Sequence, residues 1–103
     1  MTITTDKKTM NEWADICHGI AREKGFWDQE RNIGEALMLV VTELAEACEA
    51  DRHGDRGEFE VEIADTFIRL GDLCGGLGID IERVVENKMR YNETRPRLHN
   101  KRY

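Results

Sequence analysis

A single proline, Pro96, occurs in the 103 residues, and the glycines fall between stretches with helical periodicity. Nothing upstream of Pro96 therefore interrupts a helix by ring constraint, and the chain is free to run as long helices joined by short turns. Four helices are readable. Thr9-x-x-Glu12 is a capping-box signature that opens the first, with Trp13, Ile16, Cys17 and Ile20 as its buried stripe and an end near Gly25. Asn32-x-x-Glu35 opens the second, whose stripe is Ile33, Ala36, Leu37, Val40, Val41, Leu44 and Ala47, and "DRHGDRG" ends it. The third is expected from about Glu58 to Cys74, on Phe59, Ile63, Phe67, Leu70 and Cys74, with "GGLG" breaking it. Asp80 caps the fourth, which carries Ile81, Val84, Val85 and Met89. No strand-like alternation of useful length competes, so the class is all-α, a helical bundle spanning residues 1–103 as one domain.

Inside the second helix two carboxylates interrupt an apolar run. In "VVTELAEACEA" Glu43 and Glu46 are three residues apart, and at about 100° per residue both fall just outside one edge of the stripe, beside Leu39 and Ala50. The third helix repeats the device with Glu62 and Asp65 in "EIADTFIRL". Side chains at i and i+3 sit about 5–6 Å apart, so each pair brings like charges together at a cost that partial burial increases. A hard divalent cation such as Mg²⁺ reverses that cost, since it takes carboxylate oxygens together with water and substrate phosphates. The bland alternative is real: 21 acidic residues also produce pairs at Glu46/Glu49, Glu58/Glu62 and Glu82/Glu86, so spacing alone is a cheap signal.

Charge is unevenly distributed. Residues 88–103, "KMRYNETRPRLHNKRY", carry +5, which leaves −11 on residues 1–87 within a net charge of −6. An acidic body with a basic C-terminal tail makes a poor nucleic-acid surface and argues against a DNA-binding helix-turn-helix. The longest apolar run, Ala36 to Val41, is far short of the roughly 20 residues a membrane span requires. The start "MTITTDKKTM" has no apolar signal core, and Cys17, Cys48 and Cys74 are odd in number with no C-x-x-C spacing, so a reducing cytoplasm is the expected setting. "GGLG" lacks the lysine and hydroxyl residue of a phosphate-binding loop. Trp27 reads as a core or interface aromatic before a base-stacking one, His18 as structural or solvated, and the cysteines as small core residues.

At these acids the sequence resembles the MazG-like all-α nucleoside triphosphate pyrophosphohydrolases. The pattern E-x-x-E followed on the next helix by E-x-x-D is present as Glu43-Leu-Ala-Glu46 and Glu62-Ile-Ala-Asp65 with 15 residues between, and the likeness extends through "NIGEALMLVVTELAEACEADRHGD", "EIADTFIRLGDLCGGLGID" and "KMRYNETRP". The resemblance implies a MazG-like four-helix bundle completed by oligomerisation, as a homodimer or homotetramer. It implies that Glu43, Glu46, Glu62 and Asp65 bind Mg²⁺, with Mn²⁺ able to substitute. Activated water then attacks the α-phosphorus of a nucleoside triphosphate, with Glu46 helping to deprotonate it. Lys88 and Asn92 match positions near the phosphates and sugar, and Arg95 joins them. Thr42 stands where the fuller motif has a second adjacent acid, so the metal count is left open, and "HNK" replaces a usual His-Gly-Lys. The competing reading is a non-catalytic helical dimerisation or regulatory domain whose acids are structural.

Overall fold

The computed structural model describes residues 2–103, and among them every regular element is helical. They are α1 (Met10–Glu23), α2 (Ile33–Arg52), α3 (Arg56–Leu77), α4 (Ile81–Glu93) and a short 3₁₀ turn (Arg97–Asn100). Among the described residues no helix is long and apolar enough to cross a membrane.

The caps explain where the helices start. Thr9 and Glu12 form the full capping box, with Glu12 N donating to Thr9 Oγ1 at 3.1 Å and Thr9 N to Glu12 Oε1 at 2.9 Å. Asn32 accepts from Glu35 N. Asp55 accepts from Glu58 N, so α3 opens at Arg56, two residues before the expected start. The other end of α3 also departs from expectation. Gly75 and Gly76 lie inside the helix, and only Gly78, at φ +68°, ends it in the left-handed conformation. A Cβ on Gly75 would stand 2.6 Å from the Ala14 carbonyl oxygen, and one on Gly76 would stand 2.5 Å from the Trp27 ring. "GGLG" is thus less a helix break than a surface planed flat for α1 and Trp27 to approach.

α3 is the central helix. It packs against α1 on one side and α2 on the other, and the three-residue turn 53–55 makes α2 and α3 an antiparallel hairpin. α4 joins chiefly through α1, by mutual capping of the two helix starts. Asn11 Oδ1 accepts from Ile81 N and Glu82 N, while Glu82 Oε1 accepts from Asn11 N. Beyond that clamp α4 is mostly exposed.

The α2–α3 contact corrects the expected stripe. The buried face of α2 is Ala36, Val40, Glu43, Ala47 and Ala50, so Glu43 lies in the middle of the interhelical face instead of at its edge. Ile33, Leu37, Val41 and Leu44, the bulk of the predicted stripe, are exposed, as are Phe67 and Leu70 on α3. Small side chains let the two backbones close up around the glutamates, and the large ones point to a different surface. The radius of gyration, 16.1 Å, exceeds the roughly 13 Å typical of a closed domain of about 100 residues.

Candidate active site

Each acidic pair contributes a buried residue from the facing surfaces of α2 and α3. Carboxylate oxygens of Glu43, Glu62 and Asp65 all lie within 4.8 Å of one another. Glu43 and Glu62 are buried and Asp65 is half-buried. Three acids packed this closely in a protein interior cannot all stay ionised without a cation. Glu43 takes the ionised role: the Arg69 Nε–H donates to its Oε1 at 2.9 Å and, with a hydrogen bond from Glu62, holds its carboxyl below the usual range. Glu62 takes the protonated one. Hydrogen bonding with Glu58, then with Glu43, together with burial and the nearby Glu46, pushes it up to about 8. Glu62 Oε2 is buried with no hydrogen-bond partner. A buried carboxylate oxygen left unpaired beside two further acids suits a hard cation, so the donor set fits Mg²⁺ or Mn²⁺.

Glu46 adjoins this trio on its solvent side. It is exposed and, with Glu49, His53, Glu58 and Glu62 itself, lines a second hollow near the α2–α3 turn. Glu58, counted in the sequence as one of the cheap acid pairs, instead acts directly on Glu62.

Two of the trio, Glu43 and Asp65, border a cavity of about 440 Å³, whose polar wall also includes Arg69 and Asp72. The remaining wall is largely apolar and aromatic, from Trp13, Ile16 and Ile20 of α1, Phe26 of the following turn, and Ile68 of α3. Such a cleft joins a carboxylate cluster to a chamber suited to a flat apolar group.

Asp72 was not legible as a site residue. It is buried, and it accepts from Trp27 Nε1 at 2.8 Å and Arg31 Nη1 at 2.7 Å and pairs with His18 Nδ1 at 3.1 Å. Arg31 also lies over the Phe26 and Trp27 rings. This knot ties α1, the α1–α2 connection and α3 together behind the cavity, and it gives Trp27 and His18 structural work. The signal available in the sequence was an acid two turns beyond Asp65 in the otherwise uncharged "LGDLC".

The basic residues of α4 are elsewhere. Lys88 is exposed with its Nζ 4.6 Å from the centre of the Tyr91 ring, and the Arg95 guanidinium lies 5.7 Å from the same ring. Asn92 is half-buried, and its Oδ1 has no partner. None of the three lines the cavity.

No family model matches the chain, and no solved structure matches it. Among curated proteins it is similar to a dATP/dGTP diphosphohydrolase of Salmonella phage PMBT28, with 40% identity over 94 residues. The match takes in 91% of this chain and 27% of that protein, so the chain spans about a quarter of its relative's length.

Proposed function

We propose that the chain is a MazG-like nucleoside triphosphate pyrophosphohydrolase that cleaves a (d)NTP to the (d)NMP and pyrophosphate by attack of water on the α-phosphorus. The observation that carries this reading is the convergence of Glu43, Glu62 and Asp65, two of which, Glu43 and Asp65, border a largely apolar cavity. The phage relative supports it and suggests dATP and dGTP as the first substrates to test.

In this reading Glu43, Glu62 and Asp65 hold Mg²⁺, or Mn²⁺ in its place. When bound, the ion supplies Lewis acidity toward phosphate oxygens and lowers the pKa of water. Glu46, exposed beyond the trio, is the fourth carboxylate and the acceptor of the water's proton. The walls of Trp13, Phe26 and Ile68 take the base and keep bulk water from the nucleoside end. Lys88, Asn92 and Arg95 are the phosphate and sugar ligands. In a single chain they stand off the cavity, so they reach the substrate within a homodimer or homotetramer closed over the exposed apolar residues of α2 and α3.

A panel of canonical and damaged (d)NTPs with Mg²⁺, scored for pyrophosphate, tests the reading. Release from dATP or dGTP that stops on chelation is expected. A panel with no release, together with a melting temperature that Mg²⁺ leaves unchanged, would favour the non-catalytic alternative.

A further inference from the structure

Arg69 lies one turn beyond Asp65 on α3 and lines the cavity beside the carboxylates. Its Nε is committed to Glu43 Oε1 at 2.9 Å, and its two Nη groups make no other hydrogen bond or ion pair among the described residues. Its side chain is 30% exposed. Arg31, in the same lining, differs: its side chain is 12% exposed and bound to Asp72 at 2.7 Å. The cleft therefore holds one arginine locked into a structural knot and one anchored at Nε with its planar fork unused. A guanidinium fork matches two oxygens of a phosphate.

The partner of Arg69 is itself a member of the carboxylate trio. A divalent cation on the trio draws on the Glu43 charge and repels the neighbouring guanidinium, while an anion on the Nη fork draws the guanidinium from Glu43. We propose that Arg69 is a phosphate ligand of this cleft, and that its ion pair with Glu43 couples cation and phosphate binding because each ligand weakens the same internal bond. The inference rests on reading the cleft as a triphosphate site. Linkage makes the coupling reciprocal: whatever help the cation gives phosphate, phosphate returns.

Isothermal titration of the full chain tests this with Mg²⁺ alone and with pyrophosphate at saturating Mg²⁺, on wild type, Arg69→Gln and Arg69→Lys. Arg69→Gln should bind Mg²⁺ at least as tightly as wild type, since an internal competitor is gone, and bind pyrophosphate about tenfold or more weakly. Arg69→Lys keeps charge without the fork and should weaken pyrophosphate with little change for Mg²⁺; it carries the comparison if the glutamine variant melts early. Reduced Mg²⁺ affinity in either folded variant would make Arg69 a mere support for Glu43 and overturn the inference, as would unchanged pyrophosphate affinity. A wild type that binds no Mg²⁺ and cleaves no triphosphate defeats the function itself. An active wild type matched by both variants defeats only the role of Arg69.

Discussion

The two faces of the α2–α3 hairpin invert the usual arrangement of a small domain. Along its inner face the hairpin buries charge: Glu43, Glu62 and Asp72 are more than nine-tenths covered, among mostly small neighbours such as Ala36, Ala47 and Ala50. On the other side of the interhelical seam lie Leu37, Val41, Leu44, Phe67 and Leu70, with Phe67 71% exposed. One face spends burial on polar groups, at a cost that only a ligand or a matched donor offsets. The other withholds apolar area worth roughly 25 cal/mol per Å² if covered. The two faces thus call for different partners: a cation would offset the charge buried on one, and a covering surface would bury the apolar area of the other.

The largest effect is expected on the acidic face. Glu62→Gln and Asp65→Asn remove charge with little change in volume, so pyrophosphate release should fall by about a hundredfold or more, as loss of a metal ligand implies. The circular dichroism spectrum should stay helical. Glu46→Gln sharpens the point, because Glu46 is exposed while its two neighbours in charge are buried. Full activity in that variant would reduce the ligand set to the trio.

The apolar face comes next. Leu44→Glu or Phe67→Glu places a charge where a second copy would seat, and light scattering should show the mass dropping toward the 11.9 kDa of one chain. A wild type already at that mass would remove the need for a partner. Gly75→Ala probes the remaining seam, between α3 and α1. With a Cβ at 2.6 Å from backbone, it should cost about 1–3 kcal/mol by thermal unfolding, the range for overpacking. Lys88→Ala should lower kcat/KM about tenfold, equivalent to about 1.4 kcal/mol, with Arg102→Ala doing much less. Equal, negligible changes would leave the basic tail as solvated charge.

The contrast between faces also separates what was legible in the sequence from what was not. Helix starts at Thr9, Asn32 and Asp80 were readable because a cap is a local hydrogen bond between residues three apart. The E-x-x-E and E-x-x-D pairs were readable for the same reason, and three of their four acids do meet. The α2 stripe misled because periodicity reports the angle of an apolar face and not its partner. Ala36, Ala47 and Ala50 on one flank bury inside the chain, whereas the larger Leu37 and Leu44 on the other remain uncovered. Asp72 and Arg69 act through contacts between elements, which no spacing rule encodes, whereas Glu58 was visible only as one of several acid pairs of ordinary spacing. "GGLG" looked like a break because glycine is a poor helix former, and tertiary packing against Ala14 and Trp27 outweighed that preference.

The smallest expected effect is a pH dependence confined to the metal-free acidic face. Glu62 is raised from its ordinary 4.5 to about 8 in the folded chain, chiefly by its hydrogen bond with Glu58 and then with Glu43. Between those two values the folded state keeps a proton that the unfolded chain releases, so this group's contribution is full below about pH 4.5 and is lost as pH rises through about 8. Glu43, lowered chiefly by Arg69, works in the opposite direction and in another window, since its contribution is lost as pH falls below 4.5. Melting of chelated protein from pH 5 to 8 should therefore decline by about a few degrees. Added Mg²⁺ should stabilise increasingly toward the alkaline end of that range, because it competes with the Glu62 proton. Glu62→Gln should flatten both trends while leaving the acid limb below pH 4.5 intact. A chelated wild type whose melting temperature does not fall across the range would mean that Glu62 is ionised without a cation, and the buried trio would then be salvaged by protein donors alone.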